Sequence, residues 1–155
     1  MNKLILKNLY QKVKGRKITG IKALVYVSLD NVYDFENPYD ISFIFDNDEC
    51  LNFSCGCDFV SLDVKNKRIQ GFDMQDSGRA EVVDFSTHHP FSQVLNNSLV
   101  EVFILHSGVD DKNIGCSLSF GDIDISILNL GDEIFYFSPL SNELILGEKI
   151  TSHKL

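Results

Sequence analysis

Leu6, Leu9, Tyr10 and Val13 recur at i, i+3, i+4 and i+7 between Lys3 and Lys14, with lysines between them and Gly15 directly after. That spacing predicts a basic amphipathic helix with a glycine stop. From Ile21 to Leu29 the period changes to two: Ile21, Ala23, Val25, Val27 and Leu29 alternate with Lys22, Leu24, Tyr26 and Ser28. This predicts a strand, and the apolar residues on both of its faces predict a central place in a sheet.

Asn31 to Asp40, with Asn37-Pro38, reads as a loop. Ile41–Phe45 and Leu51–Cys55 flank the polar stretch Asp46-Asn47-Asp48-Glu49, which predicts a hairpin with an acidic tip. Phe59–Val64 and Arg79–Phe85 are further strand candidates. His88-His89-Pro90 opens a second helical pattern, with Phe91, Val94 and Leu95 on one face and Asn96-Asn97 at its end. Four more strands are expected at 99–106, 114–120, 123–128 and 133–137. Gly121-Asp122 forms a two-residue hairpin signal, and Asn129–Asp132 supplies the next reversal.

Together these elements predict an α+β fold in one domain over residues 1–155: an antiparallel meander of about six strands in one sheet, with an N-terminal helix and a short mid-chain helix. A 155-residue chain with 44% hydrophobic residues has enough apolar surface for a core of its own. Its longest apolar runs are a handful of residues against the roughly 20 that cross a bilayer. The patch Leu4–Leu6 is cut off by Lys7 and Asn8, too short for a signal peptide. The expectation is a cytoplasmic protein, with no membrane partner. In that setting Cys50, Cys55, Cys57 and Cys116 read as free thiols, Cys55 and Cys57 on one strand face packing as small hydrophobes.

Candidate chemistry adds little. Cys55-Gly56-Cys57 lacks the second ligand pair of a closed zinc site, although Cys116 and His88-His89 could supply it in space. The stretch beginning at Asp46 has Leu51 where a calcium loop turns on glycine and Cys57 where it places glutamate, so it is no EF-hand. No elbow surrounds any serine to pair with His88, His89 or His106. The carboxylate pairs Asp73/Asp76, Asp122/Asp124 and Asp132/Glu133 arise readily in an acidic chain. Single scattered glycines form no phosphate loop. The reading is of a non-enzyme without metal or cofactor.

Charge changes the picture. The first 29 residues hold seven lysines and arginines and no acid; the other seven cations face all 22 acids in the remaining 126 residues, a charge of −15 there. A field of that sign attracts cationic partners and opposes nucleic acid. The expected exposed clusters are Asp46, Asp48 and Glu49; Asp110 and Asp111; Asp122 and Asp124; and Asp132 with Glu133. Tyr33, Phe35 and Tyr39, in the loop after the first strand, are candidate apolar anchors for a partner.

In size, charge and β-rich texture the whole chain resembles the small acidic immunity proteins of bacterial toxin systems, including contact-dependent growth inhibition; no diagnostic motif carries the likeness. The resemblance implies a one-to-one inhibitor of a basic toxin domain, often a nuclease, whose active site is masked by carboxylates. Two other classes stay open: a small regulatory interaction module, and a ligand-binding or enzymatic β-rich domain with a pocket invisible in sequence.

Overall fold

The computed structural model describes residues 1–155. The chain runs α1 (Lys3–Val13), β1 (Ile18–Val27), β2 (Asp40–Phe45), β3 (Cys50–Cys55), β4 (Leu62–Lys65), β5 (Phe72–Asp73), β6 (Arg79–Asp84), β7 (Glu101–Ser107), β8 (Lys112–Ser119), β9 (Asp124–Asn129), β10 (Ile134–Phe137), α2 (Asn142–Gly147) and β11 (Thr151–Lys154). The fold is α+β, but the strands form two antiparallel sheets where one was expected. Sheet I has the order β4-β3-β2-β1-β6-β5, and sheet II the order β10-β9-β8-β7-β11. Period-two patterning marks each strand as burying one face without saying against what. Two half-apolar sheets satisfy it by packing face to face.

The core between the sheets takes Ile21, Ala23, Val25 and Val27 from β1, Ile41, Phe43 and Phe45 from β2, and Val102, Ile104, Cys116, Leu118, Ile125 and Ile127 from sheet II. Phe43 lies at its centre, with ring centroids of Phe53, Phe91 and Phe120 at 6.1, 5.9 and 6.4 Å. β1 is central, paired to β2 on one side and β6 on the other, as its two apolar faces require.

α1 forms as its spacing predicts. The Asn2 side chain caps it, accepting from the Leu4 and Ile5 amides at 3.0 and 3.3 Å, and Leu6, Tyr10 and Val13 are buried. The Tyr10 hydroxyl donates to the Val100 carbonyl at 2.7 Å, tying the helix to the start of sheet II while its side lies against β4 of sheet I. No helix of the chain is long and apolar enough to cross a membrane.

The mid-chain helix expected from His88 is absent; only a single 3₁₀ turn, Phe91–Gln93, forms there. Two turns are too few to sustain a helix without tertiary support, and here tertiary contacts pull the other way. Phe91 and Val94 enter the core, while Asn96 and Asn97 exchange backbone hydrogen bonds with Ile18 at 2.9 and 3.0 Å. Cys55 and Cys57 also part company: β3 ends at Cys55, and Cys57 is exposed in the turn that follows. None of the four cysteines is in a disulfide.

Three elements lie outside the sequence expectation: α2, β11 and the two-residue β5. α2 is capped by Ser141, whose hydroxyl accepts from the Leu144 amide at 3.2 Å, and its segment covers Leu105, Ile114 and Leu128 on the outer face of sheet II. Six residues with no buried side chain of their own leave too little periodicity to read.

Candidate functional site

The strand registers sort the acidic turns between the two ends of the molecule. In sheet I, Ile18 pairs with Phe45, so the tip at residues 46–49 lies at the Ile18 end of β1, and the loop 28–39 and the turn after Cys55 at the Val27 end. In sheet II, Ser107 pairs with Lys112 and Ser119 with Asp124, so residues 108–111 and 130–133 share one end and 120–123 occupies the other. Asn129 Nδ2 donates to the Ser61 carbonyl at 3.0 Å, and Lys112 Nζ lies 3.6 Å from Asp58. These two links bring residues 108–111 and 130–133 beside the Val27 end of sheet I.

A cleft of about 510 Å³ opens at that end between the two sheets. Sheet II contributes Asp132 and Glu133 from the β9–β10 turn. Gly131 and Asp132 both have positive φ, +67° and +69°, the signature of a type I′ hairpin turn. Asn129 Oδ1 accepts from the Asp132 amide at 3.0 Å, so the residue that anchors the turn to Ser61 also shapes it.

Sheet I contributes Asp40, at the start of β2, and Cys55. The loop adds Asp34, whose carboxylate accepts from the Glu36 and Asn37 amides at 3.1 and 3.2 Å, and Tyr39. Four carboxylates line the cleft and no lysine, arginine or histidine does.

The electrostatics follow from that enclosure. Burial pushes the Asp40 carboxyl above its ordinary range, against the lowering effect of the Asn52 amide that donates to it at 2.9 Å. Burial, followed by the charges of Asp132 and Asp40, pushes the Cys55 thiol up to about 11. Cys55 is therefore a neutral wall of the cleft and a poor nucleophile near neutral pH. No group of three or more histidine, cysteine, aspartate and glutamate side chains is placed to hold a metal ion.

An aromatic shelf adjoins the cleft through the shared residues Tyr26 and Asp34. Tyr33 and Phe35 stack at 5.5 Å and 8°, and Phe35 leans on His88 and Phe85 at 5.3 and 6.2 Å. The Tyr33 hydroxyl donates to Glu81 at 2.8 Å. Tyr33, Phe35 and Tyr39 are 36%, 39% and 40% exposed, so each is held from beneath and open above.

The expected site residues thus divide. Asp132, Glu133 and Tyr39 meet in the cleft, Tyr33 and Phe35 stand beside it, and Asp110 and Asp111 lie in the β7–β8 turn at the same end, with Asp111 3.3 Å from His106. Asp122 and Asp124 are at the far end, as are Asp46, Asp48 and Glu49. Part of the hairpin tip's charge is answered by the chain's own cations. Glu49 pairs with Lys12 at 3.4 Å and accepts from Asn66, and Asp48 lies 3.9 Å from Arg68.

Asp34, Asp40, Tyr26 and Cys55 were not among the expected site residues. The Asp34-Phe35-Glu36-Asn37 run carries an Asx-turn signal for one of them. The others are recognisable only once the sheets are assembled. Comparison with protein-family models, curated proteins and solved structures finds no match to this chain.

Proposed function

We propose that this chain is an immunity-type inhibitor that binds a cationic protein domain of a bacterial toxin at its acidic end and acts by masking, without chemistry of its own. The observation that supports this reading is the cleft in which Asp34 from the sheet I loop meets Asp132 and Glu133 from sheet II with no cation among them, beside the half-exposed shelf of Tyr33 and Phe35. The division of labour is physical. Long-range attraction from a carboxylate-lined cleft raises the encounter rate with a basic surface, and a few well-packed aromatic anchors slow dissociation. Lysine or arginine side chains of the partner enter the cleft in place of the cations that the chain itself lacks there.

Co-expression with the product of the neighbouring gene, followed by association measurements at low and physiological salt, tests the proposal. The expected result is a one-to-one complex whose on-rate falls with salt and whose formation blocks the toxin's activity. No complex, or a complex formed at a rate indifferent to salt, overturns it.

A further inference from the structure

β4 and β5 lie at opposite edges of sheet I, so the connecting residues 66–71 must cross the whole sheet. They cross the outer face, since the inner face is filled by the core. Asn66 fastens the start of this strap by accepting from the Cys50 amide at 3.1 Å, and a Cβ on Gly71 would lie 2.6 Å from the Ala80 carbonyl at the other end. Beneath the strap is a second hollow of about 460 Å³, within the range of small-molecule sites. Asp40, Asn52 and Ser54 line it from the sheet, and Lys65, Lys67 and Arg68 from the side of the strap.

Asn52 is 6% exposed, and its Nδ2 donates to Asp40. Its Oδ1 is buried with no partner, and a buried acceptor left unmet is costly unless something donates to it. The floor therefore offers the Asp40 carboxylate, held in place by Asn52, while the strap side offers cations. Lys65 is engaged by Asp63 at 2.8 Å, and Arg68 is only loosely held by Asp48, leaving Lys67 and Arg68 free for an anionic group. A simple oxyanion is repelled by the Asp40 carboxylate at the floor, and a simple cation is opposed by the strap side.

We propose that this hollow binds a small zwitterion, a free α-amino acid or short peptide, with its ammonium group toward Asp40 and Asn52 and its carboxylate toward Lys67 and Arg68. The raised pKa of Asp40 is consistent with a carboxylate that gains from a delivered cation.

The test is an NMR titration of the ¹⁵N-labelled chain with the twenty amino acids and glycylglycine, with N-acetylglycine, glycine methyl ester and inorganic phosphate as controls. At least one zwitterion is expected to shift the Asn52 side-chain amide and the strap amides. The N-acetylated and esterified forms of that ligand are expected to bind about tenfold more weakly or worse, each having lost one charge-assisted set of hydrogen bonds. Asn52→Ala and the double variant Lys67→Ala/Arg68→Ala should each lose the response; if the first does not fold, the exposed double variant decides. The inference is overturned if no zwitterion shifts these amides, if a blocked form binds as well as the free one, or if phosphate alone reproduces the shifts. Asp132→Lys/Glu133→Lys should leave this binding intact, which separates it from the reading of the acidic cleft.

Discussion

Lys12 Nζ lies 3.4 Å from Glu49 Oε1, and this contact joins the basic helix α1 to the acidic β2–β3 tip. Part of the charge asymmetry along the chain is therefore spent inside the molecule. Asp34, Asp132 and Glu133, in the cleft at the other end, form no ion pair with a cation of the chain. Reversing Asp132 and Glu133 to lysine should slow association with a basic toxin domain by about tenfold or more at low salt. Reversing Asp46, Asp48 and Glu49 should slow it less. Stopped-flow rates across a salt series distinguish the two; equal slowing would show that no end of the molecule is preferred.

The anchorage of α1 predicts a graded stability series. Tyr10→Phe removes the hydroxyl that donates to the Val100 carbonyl at 2.7 Å and should cost about 1 kcal/mol. Leu6→Ala opens a cavity at a fully buried position and should cost about 2–5 kcal/mol. Lys12→Ala, at a half-exposed ion pair, should cost less than about 1 kcal/mol. Urea unfolding midpoints give the order.

Gly78 and Gly121 both have positive φ, +99° and +94°, but their surroundings differ. A Cβ at Gly78 would run into the Val27 carbonyl oxygen, whereas one at Gly121 meets nothing within 4 Å. Gly121→Ala should cost about 1–2 kcal/mol, from backbone strain alone. Gly78→Ala should cost clearly more, because β6 must shift away from β1. Thermal denaturation of the two variants checks the difference.

The cysteines should alkylate in order of exposure and ionisation. Exposed Cys57 reacts first. Cys55, with its thiol at about 11, is only about 0.1% thiolate at pH 8 and should lag; fully buried Cys116 should be protected until the chain unfolds. Asp132→Asn removes the largest of the charges that raise Cys55, so its alkylation should quicken while that of Cys57 is unchanged. Mass spectrometry of a timed iodoacetamide reaction reports each site.

Asp84 accepts from the Ser86 amide at 2.8 Å and pairs with Lys22 at 3.1 Å. The Ser86 hydrogen bonds, with help from Lys22, lower its carboxyl from 3.8 to about 2. A carboxylate lowered on folding stabilises the fold above its unfolded value, and that contribution is lost as pH falls from about 4 to about 2. The side chain is largely exposed, so the contribution is under about 1 kcal/mol. Asp84→Asn should flatten stability against pH in that window. Asp40 has the opposite sign: its raised carboxyl favours the fold below the unfolded value and loses that contribution as pH rises through the folded one.

The local pattern of the chain determined its local elements. Spacing of 3.6 set α1 over Leu6, Tyr10 and Val13, alternation set β1, apolar runs between turn signals marked the other strands up to β10 apart from β5, and positive-φ turn residues such as Gly121 set the reversals, because each depends on neighbours a few positions away. The surplus of acid was equally legible, as were Tyr33, Phe35 and Tyr39 in a loop rich in Asp and Asn. Tertiary structure alone decided how these parts are used. Strands with one apolar face pair equally well in one sheet or two until another face covers them. The helical spacing of Phe91 and Val94 yields when the core takes those side chains and β1 takes the backbone bonds of Asn96 and Asn97. Asp40 and Asp132 are 92 positions apart and share a cleft because two sheets meet there, while Glu49 is turned toward Lys12 by a helix that no periodicity could orient. Distances between elements arise only when the apolar faces are buried together, and the candidate site consists of such distances.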